Sequence, residues 1–233
     1  MTNVSAYVVK YFPNIAELDI LECPLIDFEG IKLATERLVK LNCIIFPKKN
    51  DLNINLHLKN LTNLPIETLD LNYFVNLTDE GILGLSSNKD SLIYLSLLGT
   101  NITDLSFPTI AGFYNLEELY FDRLPITDKA ISELTSTLGI LKVLSLSDTL
   151  ISDASIIKIG KSKFRRSLSK LNLINTNISN KSVIALKDLI NLSTLILDGT
   201  FVTEEYVLDT LKYLNHLTPP RFRNLRIMEE DEG

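Results

Sequence analysis

Few residues in this sequence could do chemistry, and their spacing is unhelpful to a catalyst. There are two histidines, His57 and His216, each beside leucine, with no Cys, Ser or Asp frame around either. The two cysteines, Cys23 and Cys43, form no Cys-x-x-Cys pair, whereas metal sites want clustered Cys and His. No Gly-rich phosphate loop of either common pattern occurs. Acids do recur, as Asp79, Asp104, Asp128 and Asp153, but each follows Thr or Ser, which is the pattern of a helix start. We therefore expect no enzyme, no cofactor and no metal. One group of bases stands out: Lys158, Lys161, Lys163, Arg165 and Arg166, with Phe164 among them. It suits phosphate, an acidic partner or an import receptor, although a solvated loop has the same composition.

The elements that would position these groups repeat. The segment Leu92-Ile93-Tyr94-Leu95-Ser96-Leu97-Leu98-Gly99-Thr100-Asn101-Ile102-Thr103-Asp104 returns as Leu141 to Asp153 in the same frame. Other copies start at Ile15, Ile66, Leu116, Leu168 and Leu192, with a degenerate one from Leu41. Their central residues are Leu18, Ile44, Leu69, Leu95, Leu119, Leu144, Leu171 and Leu195, spaced by 24 to 27 residues. Such a period marks a stacked repeat protein. The composition agrees, with 43 Leu and 25 Ile among 233 residues.

Within each copy the alternation around the central Leu predicts a short strand. A turn follows at Gly99 or Asn175. Thr100, Thr149, Thr176 and Thr200 come next, in a slot that Cys23 fills in the first copy. A hydroxyl there can bond loop backbone. Thr78, Thr103, Thr127, Ser152, Ser179 and Thr203 are then candidate helix N-caps. Apolar residues four and seven places later, such as Ile82 and Leu85 or Ile156 and Ile159, would bury one helix face. Pro108 predicts a short, 3₁₀ or late-starting helix in the fourth unit, the one centred on Leu95.

The frame L-x-x-L-x-L-x-x-T-x-I-[T/S]-D resembles the leucine-rich repeat. Its length is most similar to the cysteine-containing class, found in F-box proteins and in mitotic-exit antagonists of the Amn1 type. The resemblance implies an α/β solenoid, a right-handed horseshoe with a parallel sheet on the concave face and helices on the convex face. The expected organisation is an N-terminal cap over 1–13, about eight repeats over 14–214, and a C-terminal cap and acidic tail over 215–233. Repeats beginning near Ile15 leave no room for an F-box in this sequence.

On that frame the strand residues facing away from the core form the candidate binding surface. They include Asp70, Asn72, Tyr94, Glu118, Tyr120, Asp122, Lys170, Asn172 and Asp198. Two tyrosines among carboxylates suit an interface, and the sign predicts a protein partner with a basic surface. The expectation is a non-catalytic scaffold: an adaptor or substrate-recognition subunit, with ubiquitin-ligase components as partners that the resemblance implies. The alternative is an inhibitor of a signalling protein or GTPase. A nucleic-acid role through the basic loop 158–170, led by Lys161, Lys163, Arg165 and Arg166, ranks third, because the net charge is -6. The N-terminus shows no export signal and no apolar run long enough for a membrane span, so a reduced cytoplasmic or nuclear protein is expected.

Overall fold

A computed structural model describes residues 9, 11–23, 25–36, 38–47, 52–62, 64–223 and 226. The expected acidic tail, and most of the expected N-terminal cap, lie outside the described residues. Eight three-residue strands occur in sequence order, and within each unit consecutive strands pair in parallel. The chain divides into two compact units, Met1–Glu118 and Leu119–Gly233.

The first unit holds β1 (Glu17–Asp19), β2 (Cys43–Ile45), β3 (Thr68–Asp70) and β4 (Tyr94–Ser96). β1 pairs with β2, β2 with β3, and β3 with β4, all parallel, so that Leu69 sits opposite Leu95. Its helices are α1 (Phe28–Thr35), α2 (Ile54–Lys59), α3 (Asp79–Leu83) and α4 (Phe107–Ile110). Pro108 acts as expected: a 3₁₀ turn over Asp104–Ser106 precedes α4, and Pro108 sits in the first turn of α4. β5 (Glu118–Tyr120) falls at the division.

The second unit holds β6 (Val143–Ser145), β7 (Lys170–Asn172) and β8 (Thr194–Ile196). These are parallel neighbours, with Leu144, Leu171 and Leu195 in register. Its helices are α5 (Asp128–Thr137), α6 (Asp153–Lys161), α7 (Asn180–Val183) and α8 (Glu204–Leu211), with 3₁₀ segments at Lys163–Arg166 and Ile184–Asp188. Beyond β8 the chain returns alongside it: Leu197 N–H donates to Arg221 O and Gly199 N–H to Arg223 O. That pairing occupies backbone groups that a last strand would leave open.

The core follows the period. The eight central residues are at most 6% exposed, and Ile82, Leu85, Ile131, Leu134, Ile156, Ile159, Val183 and Leu186 are fully buried. The final helix, α8, stops at Leu211, and only Val207 and Leu211 of its apolar residues are buried. Leu208 is exposed and Leu214 half-buried.

The turns after β3 to β8 each use a left-handed residue. Tyr73, Gly99, Arg123, Asp148, Asn175 and Gly199 all take positive φ, four places after their central Leu. At Gly199 the requirement is steric as well, because an added Cβ would lie 2.1 Å from Asn175 Oδ1. The threonine slot closes the same turn. Thr100, Thr149, Thr176 and Thr200 each donate Oγ1–H to the carbonyl three residues back, at 2.7–2.9 Å. Cys23 keeps the matching backbone bond, its N–H donating to Ile20 O, and both cysteines are free thiols.

Candidate functional site

The recurrent Asp residues do more than favour a helix N-terminus. Asp128 accepts from Ser152 N–H at 2.9 Å, Ser152 Oγ at 2.6 Å, Ser155 N–H at 3.1 Å and Ser155 Oγ, all one repeat ahead. Asp153 likewise accepts from Ser179 N–H and Oγ and from Ser182 Oγ, and in the first unit Asp79 accepts from Thr103 N–H and Oγ1 and from Ser106 Oγ. Burial raises the Asp128 carboxyl, but the four donors from Ser152 and Ser155 outweigh it and hold the group below its ordinary value. Where the rung is Asn, its amide takes the cap hydroxyl instead. Asn55 donates to Thr78 Oγ1 and Asn180 to Thr203 Oγ1. Thr78 and Thr203 consequently make no side-chain cap bond, unlike Thr103, Thr127, Ser152 and Ser179. Single-copy reading misses this ladder, because each bond joins residues 23 to 29 apart; the regular Asp-after-Ser spacing was its only trace.

The histidines show no shared chemistry. His57 is buried in α2, its ring centroid 5.9 Å from that of Phe46. Burial, opposed by the Asp27 carboxylate, pushes its imidazole down to about 4. His216 is exposed near the far end of the second unit. Among the described residues, no three or more His, Cys, Asp or Glu gather as a metal site.

The sheet face splits between the units. In the first, Asp70 is exposed and its carboxylate accepts from Asn72 N–H at 2.9 Å. Asn72 Oδ1 accepts from Ser96 Oγ at 2.7 Å and Leu98 N–H at 2.8 Å, which buries Ser96. Burial raises the Tyr94 phenol above its ordinary value. A hydrogen bond with Ser96 offsets part of that, and the Asp70 and Glu118 carboxylates add to it. Glu118 is half-buried beside that phenol. Glu17, Asp19 and Asp70, at the outward positions of β1 and β3, are all exposed.

In the second unit the acids are engaged. Asp122 Oδ1 accepts from Ser145 Oγ at 2.6 Å and from Ser147 N–H at 2.8 Å. Ser145 Oγ accepts in turn from Asn172 Nδ2 at 2.9 Å. Asp198 is almost buried, bonded to the Arg223 N–H and paired with Arg221 at 3.3 Å. Ser145 and Ser147 are buried by this network. What remains open is a shallow depression of about 200 Å³ lined by Tyr120, Val143, Lys170, Asn172, Thr194 and Ile196. Its walls are largely apolar, and its exposed charge is the Lys170 ammonium.

The basic loop is half structural. Phe164 is fully buried and anchors the 3₁₀ turn. Arg165 turns back, its Nη1 donating to Ser162 O at 3.0 Å. Lys161, Lys163 and Arg166 stay exposed. Lys158 donates to Ser132 Oγ on α5.

A parallel sheet of period-25 units, helices after each turn and a hydrogen-bonded rung between copies define a leucine-rich repeat fold. Solved structures of that kind are similar to this chain. Internalin C2 of Listeria monocytogenes matches with a TM-score of 0.64 and 24% identity, over 91% of this chain and 83% of that one. Internalin F of the same organism matches at 0.61 and 22%, over 94% of this chain and 64% of the other. A leucine-rich repeat protein of Leptospira interrogans matches at 0.56 and 23%, over 91% of this chain and half of its own length. No family profile matches the chain, and no curated protein sequence does. These neighbours share the fold; none bears on the narrower F-box or Amn1 class. No helix among the described residues is long and apolar enough to cross a membrane.

Proposed function

We propose that the chain is a non-catalytic protein-interaction module that takes a partner on its sheet face. The observation that carries this is the depression in the second unit, where Tyr120, Val143 and Ile196 leave apolar surface open beside Lys170. An aromatic and two aliphatic walls next to one cation suit an apolar side chain of a partner, followed by a carboxylate or carbonyl. The exposed carboxylates of the first unit favour a basic surface on the partner, as expected from the sequence. Within this reading, the resemblance to F-box-type repeats makes substrate recognition beside ubiquitin-ligase components the narrower proposal. Inhibition of a signalling protein is the alternative.

Affinity purification of the tagged chain tests it, with recovered proteins quantified for wild type, Tyr120→Ala, Ile196→Glu and a Lys163→Glu/Arg165→Glu pair. The module reading expects partners to be lost with the two sheet-face variants at unchanged melting temperature. Loss only with the basic-loop pair, or only on nuclease treatment, refutes it. Ligase subunits among the recovered proteins support the adaptor reading; a single regulatory protein supports the inhibitor.

A further inference from the structure

The helix side of the second unit carries a feature that the sheet face does not explain. Ile157, Ile184 and Leu208 are 39, 51 and 45% exposed. Each lies five residues after its helix cap, at Ser152, Ser179 and Thr203, so the three occupy one register position on consecutive repeats. The segments that carry them pack side by side. The approach is close at Gly160, where an added Cβ would lie 2.4 Å from Ala185 O. Ile157 and Ile184 are therefore on touching elements, and Leu208 continues the line onto α8. Isolated exposed aliphatics are ordinary, but three in one register form a ridge.

The charge around Ile157 and Ile184 is basic, whereas Leu208 lies among the exposed acids Glu204, Glu205 and Asp209. Residues 154–187 contain eight Lys or Arg and no Asp or Glu, in a chain whose net charge is -6. Lys161 follows Ile157 by one turn, Lys187 follows Ile184 by three residues, and Lys181 precedes it by three. Lys158, Lys161, Lys181 and Lys187 are all exposed. Acids return beyond this stretch, where Asp209 pairs with Lys212 at 2.8 Å and feels Lys187.

We infer that the ridge Ile157–Ile184–Leu208, flanked by Lys158, Lys161, Lys181 and Lys187, is a docking site for an acidic amphipathic helix of a partner protein. Adjacent helices stand about 8–10 Å apart. A helix laid across them advances roughly 10 Å in seven residues, so an apolar side chain at every seventh position meets one ridge residue per repeat. Acidic neighbours of the positions over Ile157 and Ile184 meet the lysines.

The test uses a fluorescein-labelled helical peptide with leucine at every seventh position and glutamate alongside, titrated by anisotropy against the full chain. Binding should weaken with salt. Ile184→Ser and Leu208→Ser should each weaken it about tenfold, the loss of one buried aliphatic contact. Lys161→Glu with Lys187→Glu should abolish it, and Tyr120→Ala should leave it unchanged, which separates this site from the sheet-face reading. Both aliphatics are exposed, so their replacement leaves the fold intact, as a thermal melt checks. The inference is overturned if Ile184→Ser and Leu208→Ser bind as wild type does. It is also overturned if a peptide with serine in place of its leucines binds equally, or if vesicles of anionic phospholipid are bound through Ile184 while the peptide is not.

Discussion

Replacing Asp128 with Ala should cost far more than a half-exposed carboxylate ordinarily does. Four donors lose their acceptor, namely the N–H and Oγ of Ser152 and of Ser155. Ser155 is fully buried, so water cannot replace the carboxylate at its two donors. A hydrogen bond to a charged group contributes about 1.5–3 kcal/mol, and an orphaned buried donor costs about 1–3 kcal/mol. The bonds share one carboxylate and are not additive, so the net loss is about 3 kcal/mol. For a chain of this size that lowers the melting temperature by roughly 6–12 °C. Asp128→Asn should lose only about 1 kcal/mol, since an amide oxygen still accepts and Asn180 serves as the equivalent rung naturally. The pH dependence gives the second readout. The folded carboxyl lies below its unfolded value, so its contribution is full above about pH 4 and fades as pH falls through the folded value. Thermal melts of wild type and Asp128→Asn from pH 7 down to pH 3 should therefore converge at the acid end. A melting temperature for Asp128→Ala within 2 °C of wild type at pH 7, or a wild-type advantage constant to pH 3, would refute the ladder as a source of stability.

Two further outcomes can be checked with the same instrument. His57 is buried with its imidazole at about 4, so protonation opposes folding of the first unit. Stability should be full above pH 6.5 and fall by about 2 kcal/mol by pH 5, a slope that His57→Phe removes and that wild type must show. Gly199→Ala should cost about 1–3 kcal/mol, because the position needs positive φ and Asn175 Oδ1 fills the space of a Cβ. If Gly199→Ala melts as wild type does, the turn after β8 is not so constrained.

The candidate site was only partly legible in the chain. Asp70, Tyr94 and Glu118 were expected on an acidic face, and Asp70 and Glu118 do bear on the Tyr94 phenol. Asp122 was grouped with them on strand parity alone, yet its carboxylate holds Ser145 and the Ser147 N–H. Asp198 likewise reads as a free acid until Arg221, brought back alongside β8, pairs with it. Phe164 reads as part of a basic loop and is the buried anchor beneath it.

The amino-acid sequence by itself determined the repeat, its strands and its helix starts. Those follow from alternation about one Leu, from a cap residue and from apolar spacing of four and seven, all settled within one copy of about 25 residues. Tertiary structure alone decided which polar groups stay open. Stacking parallel copies sets Asp128 against Ser152 and Ser155, and Asp122 against Ser145, so carboxylates with the same local pattern as a solvated acid become fixed rungs. The same stacking leaves Ile157, Ile184 and Leu208 outside the core, because the helix face they occupy has no further layer to cover it among the described residues.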